Sequence, residues 1–154
     1  MDAVIATTGQ HAYTIKEAAA LTGLPASTLR YYESIGVIAP VGRGESSGHR
    51  IYTDDDMNLL VGVACLAATG MSVADMRRYV ANGALGAAAA SEQITLLEER
   101  LERLADEARL IKIREQYVAI KIEFWRATAA GDDANALLLA AEARTLAQQI
   151  KPAK

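Results

Sequence analysis

The spacing of apolar positions changes several times along the first eighty residues, and each change marks an element. Thr14 stands before Ile15, Ala18, Ala19 and Leu21 at helical spacing. Glu17, three residues after Thr14, completes a capping box. Gly23 ends that helix and Leu24-Pro25 turns the chain. A second helix is predicted from Ala26 or Ser27 to Ile35, closed by Gly36 as a left-handed C′ residue. The two helices are short and closely joined, and Leu21, Leu24, Leu29 and Ile35 can share one small core. That is the pattern of a helix-turn-helix, with an ordinary helical hairpin as the plain alternative.

Between Val37 and Thr53 the pattern becomes β-favouring. Val37-Ile38 and Arg50-Ile51-Tyr52 flank a stretch holding Gly42, Gly44, Ser46, Ser47 and Gly48, which reads as a hairpin with a flexible tip. Thr53 caps a third helix, with Asp54, Asp55 and Asp56 at its positive end. Met57, Leu60, Val61, Ala64 and Leu66 give it an apolar face, and Gly70 ends it. Ser72 caps a fourth helix, with Asp75 as its capping-box partner, running to about Ala81.

Beyond a small-residue linker the spacing settles into a heptad. Ile94, Leu97, Leu101, Leu104, Ala108, Ile111, Glu115, Val118, Ile122 and Trp125 alternate three and four residues apart, with Glu115 the polar interruption. Glu98, Glu99, Arg100, Glu102 and Arg103 flank this seam. A helix of roughly 50 Å follows from the rise per residue, and so small a chain cannot cover such a stripe. A partner helix is required, most simply from a second copy. Gly131 breaks the long helix. Asp132 or Asp133 caps a last helix to about Ile150, with Pro152 after it. Leu137, Leu138, Ala141 and Leu146 are the residues expected to fold it back. The expected organisation is a tail over 1–12, a helix-turn-helix domain over 13–82, a linker over 83–90, a dimerisation helix over 91–130 and a C-terminal helix with tail over 131–154.

Composition narrows the chemistry. The net charge is −3, so generalised cationic stickiness is excluded. The lone cysteine, Cys65, excludes an internal disulfide and a multi-cysteine metal site and suits a reducing, cytoplasmic compartment. No signal peptide and no apolar run long enough to span a membrane are seen. There is no nucleophile–base pairing and no Gly-rich phosphate loop, so an enzyme is not expected. Neither a metal nor a cofactor is expected: His11 and His49 are isolated, and Asp132 and Asp133 serve as caps.

The polar aromatic segment of the second helix points to nucleic acid. Ser27, Thr28, Arg30, Tyr31 and Tyr32 lie there, and arginine and tyrosine reach phosphates or base edges. Consecutive tyrosines point about 100° apart, so one can lean on the hairpin while the other faces a ligand. The hairpin adds Arg43, His49 and Arg50. From Ser27 to Tyr52 there are three arginines against two glutamates, whereas residues 1–90 hold six basic and eight acidic side chains. Positive charge is thus gathered locally with small excess, and affinity must come from dimerisation and shape.

The runs YTIKEAAALTGLPASTLRYYESIGVIAP, SSGHRIYTDDDMNLL and ATGMSVADMRRYV resemble the MerR family of bacterial transcription regulators from Tyr13 to Ala81. The resemblance implies a mainly α protein: a winged helix-turn-helix followed by a long dimerisation helix that pairs as an antiparallel coiled coil, then a short C-terminal helix. It implies a homodimer on a palindromic promoter with an overlong spacer, distorted so that RNA polymerase can engage, in the bacterial cytoplasm and at the nucleoid when bound. By motif position it assigns Arg30, Tyr31 and Tyr32 to the recognition helix, Arg50 and Tyr52 to the wing, and Thr14 and Lys16 to the DNA backbone. His49 replaces the tyrosine common there. Tyr32 and Tyr52 have an equally good reading as core residues, and Glu33 reads as solvated or arginine-paired.

The context CLAATGMS around Cys65 resembles the subgroup that answers aldehydes and nitrosative stress, which implies an electrophile-sensing thiol; an inert buried cysteine is the plain reading. Tyr117, Phe124 and Trp125 form a second effector candidate, for a small apolar or cationic ligand, with coiled-coil packing as its plain reading. An effector-independent architectural DNA-binding protein and a coiled-coil interaction protein complete the alternatives.

Overall fold

The computed structural model describes residues 11–150, so residues 1–10 of the tail expected over 1–12 and the proline expected after the last helix lie outside the described residues. The chain divides into two compact units, the first ending at Leu97 and the second beginning at Glu98.

In the first unit the order is β1 (Tyr13–Thr14), α1 (Ile15–Thr22), α2 (Ala26–Ser34), β2 (Gly42–Arg43), β3 (Arg50–Tyr52), α3 (Asp54–Ala68) and α4 (Val73–Leu85). Thr14 caps α1 as predicted: its Oγ accepts from the Glu17 N–H while the Glu17 carboxylate accepts from Thr14 N–H at 2.8 Å. Thr53 and Asp56 make the same reciprocal cap on α3. Ser72 accepts from the Asp75 N–H at the start of α4. Helix α2 ends in a Schellman turn. Gly36 takes φ +75°, and the N–H of Val37 donates to the carbonyl of Tyr32 at 2.9 Å.

That turn overrides the β tendency of Val37-Ile38. The amides of both residues go to the Tyr32 carbonyl, so they cannot serve a ladder, and the side chains are buried instead. The wing strand opposite β3 is therefore Gly42–Arg43, with Gly42 opposite Ile51 and Arg43 opposite Arg50. The other edge of β3 is taken by β1, Tyr13 opposite Tyr52 and Thr14 opposite Ile51, giving the order β1-β3-β2. A two-residue strand leaves no periodicity in sequence, and β1 was not foreseen.

The core gathers Ala18, Leu29, Tyr32, Val37, Ile38, Tyr52, Met57, Leu60, Val63, Met71 and Met76. Leu24 and Ile35 pack against it, but Leu21, expected inside, is 62% exposed. The inward face of α1 is Ile15, Ala18, Ala19 and Thr22, and Leu21 lies roughly 100° away from its centre.

The small-residue stretch expected as a linker is helical. Helix α4 continues to Leu85, a 3-10 turn spans Gly86–Ala89, and α5 (Ala90–Ala129) follows directly. Asn82 is buried there and donates through Nδ2 to Gln93 Oε1 at 3.3 Å, while Gln93 Nε2 donates to the Tyr79 carbonyl at 2.9 Å. These bonds tie the first turn of α5 to α4 within the first unit.

In the second unit α5 runs on to Ala129 and α6 (Asp133–Ile150) follows a tight turn at Gly131. Asp132 caps α6 through a hydrogen bond from the Asn135 N–H to Oδ1. Shelter on α5 falls on Ile113, Tyr117, Ile120, Phe124 and Ala127, and on α6 around Ala136, Ala140 and Ala143. Leu137 and Leu138, expected to hold α6 down, are both 70% exposed because the inward face of α6 is the alanine face roughly 100° away. The heptad seam is a different stripe and lies open: Ile94, Leu97, Leu101, Ile111, Val118, Ile122 and Trp125 are between 40% and 67% exposed. Among the described residues, no helix is long and apolar enough to cross a membrane.

Candidate nucleic-acid interface

Three elements converge on one cleft of about 210 Å³, lined by Thr14, Ile15, Lys16, Arg30, Arg43, His49 and Arg50. The amino end of α1 brings Thr14, Ile15 and Lys16, the middle of α2 brings Arg30, and the wing brings Arg43, His49 and Arg50. Residues far apart in sequence thus form a single cationic surface. Beside it the outward face of α2 presents Ser27, Arg30, Tyr31 and Ser34 at helical spacing, all exposed. Ser34 was missed in sequence. Its membership of the i, i+3, i+4, i+7 face through Ser27 would have found it. Thr28 is half-buried on the flank of that face.

The cations are not equivalent. Arg30 and Lys16 are exposed and make no ion pair among the described residues. Arg50 donates from Nε to the Glu33 carboxylate at 3.1 Å, and Arg43 reaches the other oxygen at 4.0 Å. Arg43 also donates to the Gly48 carbonyl across the wing at 3.2 Å. Glu33 is therefore arginine-paired. The Thr14 hydroxyl donates to Glu17 at 2.9 Å, which commits its proton within the capping box. The bonds from Thr14 hold the Glu17 carboxyl below its ordinary value.

The two tyrosines with a dual reading fall on the core side. Tyr52 is fully buried and its hydroxyl has no hydrogen-bond partner among the described residues; burial raises its pKa. Tyr32 is 7% exposed. Both residues were expected to touch DNA or to serve the core; both rings belong to the hydrophobic core of the first unit. Tyr31, next to Tyr32 on α2, is 52% exposed and is the one facing outward.

The effector candidates are dispersed. Cys65 is exposed on α3, on the same open side as Val61 and Gly62, so the inert buried reading does not hold in the single chain. A shallow depression of about 510 Å³ on α5 brings Tyr117 and Trp125 together with Val118, Ile122, Lys121 and Arg126. Phe124 does not line it; its ring meets Trp125 edge-on at 5.2 Å and carries the Lys121 ammonium 5.0 Å from its centroid. Two cations at the rim make the depression a poorer host for a cationic ligand than for an apolar or anionic one. No group of three or more His, Cys, Asp or Glu able to hold a metal occurs among the described residues.

Comparison with known proteins agrees with this geometry. Residues 13–83 match the family model described as MerR HTH family regulatory protein. An uncharacterized HTH-type transcriptional regulator of Haemophilus influenzae is 32% identical over 114 residues, covering 74% of this chain and 84% of that one. The HTH-type transcriptional regulator AdhR of Bacillus subtilis is 32% identical over 92 residues, 60% of this chain and 65% of that one. Among solved structures, HiNmlR, described as a MerR family regulator lacking the sensor domain and bound to promoter DNA, superposes with a TM-score of 0.67 at 32% identity, covering 79% of this chain and 92% of its own. A MerR family transcriptional regulator from Bacillus thuringiensis gives 0.57 at 25% identity, covering 71% and 98%. The chain belongs to the MerR family of DNA-binding transcriptional regulators.

Proposed function

We propose that the protein binds a palindromic promoter as a homodimer and switches transcription by distorting the spacer DNA for RNA polymerase. The observation that carries the reading is the convergence of Lys16, Arg30, Arg43, His49 and Arg50 on one cleft beside the exposed Ser27–Arg30–Tyr31 face. A helix face of this width enters a major groove while flanking cations take phosphates. Arg30, which makes no ion pair among the described residues, is the base or phosphate contact. Lys16 and the wing arginines hold the backbone on either side. The fold relative described as bound to promoter DNA supports the same use of the surface.

Dimerisation rests on the open seam of α5. Its charges give the pairing a direction. From Ser91 to Glu107 six acidic side chains stand against two arginines, whereas from Ala108 to Ala129 five basic side chains stand against two glutamates. Parallel helices would set acid on acid and base on base; antiparallel helices set each acidic half on a basic one. Two first units are then carried to opposite ends, as two half-sites require.

A second reading concerns the signal. The exposure of Cys65 favours a response to an electrophile or oxidant at its thiol, acting in the cytoplasm. A Cys65→Ser protein that retains the full inducer response removes it in favour of a ligand at the Tyr117–Trp125 depression or of an effector-independent regulator. For the main reading the decisive measurement is duplex binding by Arg30→Ala. A loss of about 10- to 100-fold is expected for one specific arginine contact. Unchanged affinity of Arg30→Ala for a palindromic promoter duplex overturns Arg30 as the main contact, whereas a wild-type chain that binds no duplex would make the coiled-coil interaction protein the better account.

A further inference from the structure

We propose that Glu33 is a positioning residue that locks the wing to the recognition helix and, by holding two arginines back, sets the protein's preference for its own site over other DNA. The inference rests on the DNA-binding reading above. Its basis is an acid where a phosphate-binding surface should least want one. Glu33 lies on α2, one turn from Arg30, and its side chain is only 13% exposed. Both carboxylate oxygens are engaged, one by Arg50 Nε at 3.1 Å and the other directed at Arg43 at 4.0 Å.

The two contacts differ in weight. Arg50 is 21% exposed and its bond is short, so it is shielded from solvent and fixes geometry. Arg43 is half exposed and at the distance limit, a contact worth little by itself and easily exchanged for a phosphate. Arg43 and Arg50 face each other across the β2–β3 ladder. One carboxylate on α2 therefore grips both strands of the wing at the same level. On one side of that level β3 runs on to the fully buried Tyr52; on the other the wing closes in a turn in which the Gly44 N–H donates to the His49 carbonyl and the Gly48 N–H to the Gly44 carbonyl.

Two consequences follow. With Glu33 in place, wing and helix meet DNA as one preset surface, so a duplex whose groove does not match cannot be accommodated by moving the wing. Part of the arginines' charge is also neutralised, which lowers the sequence-independent attraction that all duplexes share. Both effects act on discrimination and neither requires Glu33 to touch a base.

The test compares Glu33→Gln and Glu33→Asp with the wild-type full chain. Hydrogen exchange at the wing amides of Gly44 and Gly48 is read without DNA. Affinity is read for a duplex selected by the wild-type protein from a random pool and for an unselected duplex of equal length, across a salt series. Expected for Glu33→Gln is exchange about fivefold faster or more, tighter binding to the unselected duplex at low salt, and a selected-to-unselected ratio reduced about fivefold. Glu33→Asp keeps the charge and loses the reach, so it should speed exchange while leaving unselected binding at the wild-type level. Unchanged exchange in both variants overturns the proposal, as does a common factor on both duplexes. If exchange accelerates but the wild-type protein enriches no duplex, the DNA reading fails and the specificity claim falls with it, while the lock itself is upheld.

Discussion

Leu29 and Ile122 are both aliphatic residues at apolar positions of a helix, yet Leu29 is fully buried and Ile122 is 48% exposed. The first lies in a unit that closes its own core. Seven elements there, β1 to α4, turn back on one another, so apolar faces find neighbours within the same chain. The second lies on a helix of 40 residues whose seam residues Ile94, Leu97, Leu101, Ile111, Val118, Ile122 and Trp125 stay exposed among the described residues. The contrast separates two kinds of hydrophobic periodicity. One encodes an interior closed within the chain; the other, on the homodimer reading proposed above, becomes an interior only when a second helix arrives.

The sharpest way to break that contrast is to charge the seam. Leu101→Glu with Val118→Glu should convert the dimer to monomer by sedimentation and weaken promoter binding by about 100-fold or more, because both half-sites no longer bind together. The first unit should keep its melting behaviour. Loss of folding in both units would show that the two kinds of periodicity are not separate. Truncating the interior is the complementary test. Leu29→Ala should lower stability by about 2–5 kcal/mol in denaturant titration, with no change in association state.

Smaller effects refine the core side. Tyr52→Phe removes a buried hydroxyl that has no partner, so stability should hold or rise by about 1 kcal/mol and duplex affinity should not change. A loss of affinity would return Tyr52 to the DNA-contacting set. The smallest effect lies at the α1 cap. Glu17 is held below its ordinary value of 4.5, so its folded form binds a proton less readily than its unfolded form. Its stabilising contribution is full above the unfolded value and is lost as pH falls through the depressed folded one. Titrating the Glu17 carboxyl by NMR, with the Thr14 amide as reporter, should show both moving together; Thr14→Ala should bring the carboxyl back toward 4.5.

Several parts of the candidate site were legible because their signals are local. Thr14 with Glu17, Thr53 with Asp56 and the glycine after α2 act within a few residues, and backbone hydrogen bonding decides them whatever else the chain does. Arg30, Arg43, His49 and Arg50 stood out by type, and the fold brings them together. Other parts were not legible for equally definite reasons. The strand at Tyr13–Thr14 exists only because β3 offers it an edge. Val37-Ile38 has β-favouring side chains but spends its amides on the turn closing α2. Leu21, Leu137 and Leu138 each match a helical spacing, yet each lies roughly a third of a turn from the face that is actually covered.

The sequence by itself determined the helices, their caps, the heptad seam and the family, since these rest on spacing and on hydrogen bonds between near neighbours. Only the tertiary structure decided which of two adjacent tyrosines faces outward, that Tyr52 is sealed, that Cys65 is open, and that Glu33 holds both wing arginines. Those outcomes depend on which face of an element another element covers. A shift of one residue changes that face by about 100° on a helix and reverses it on a strand, so composition and propensity hardly register the difference.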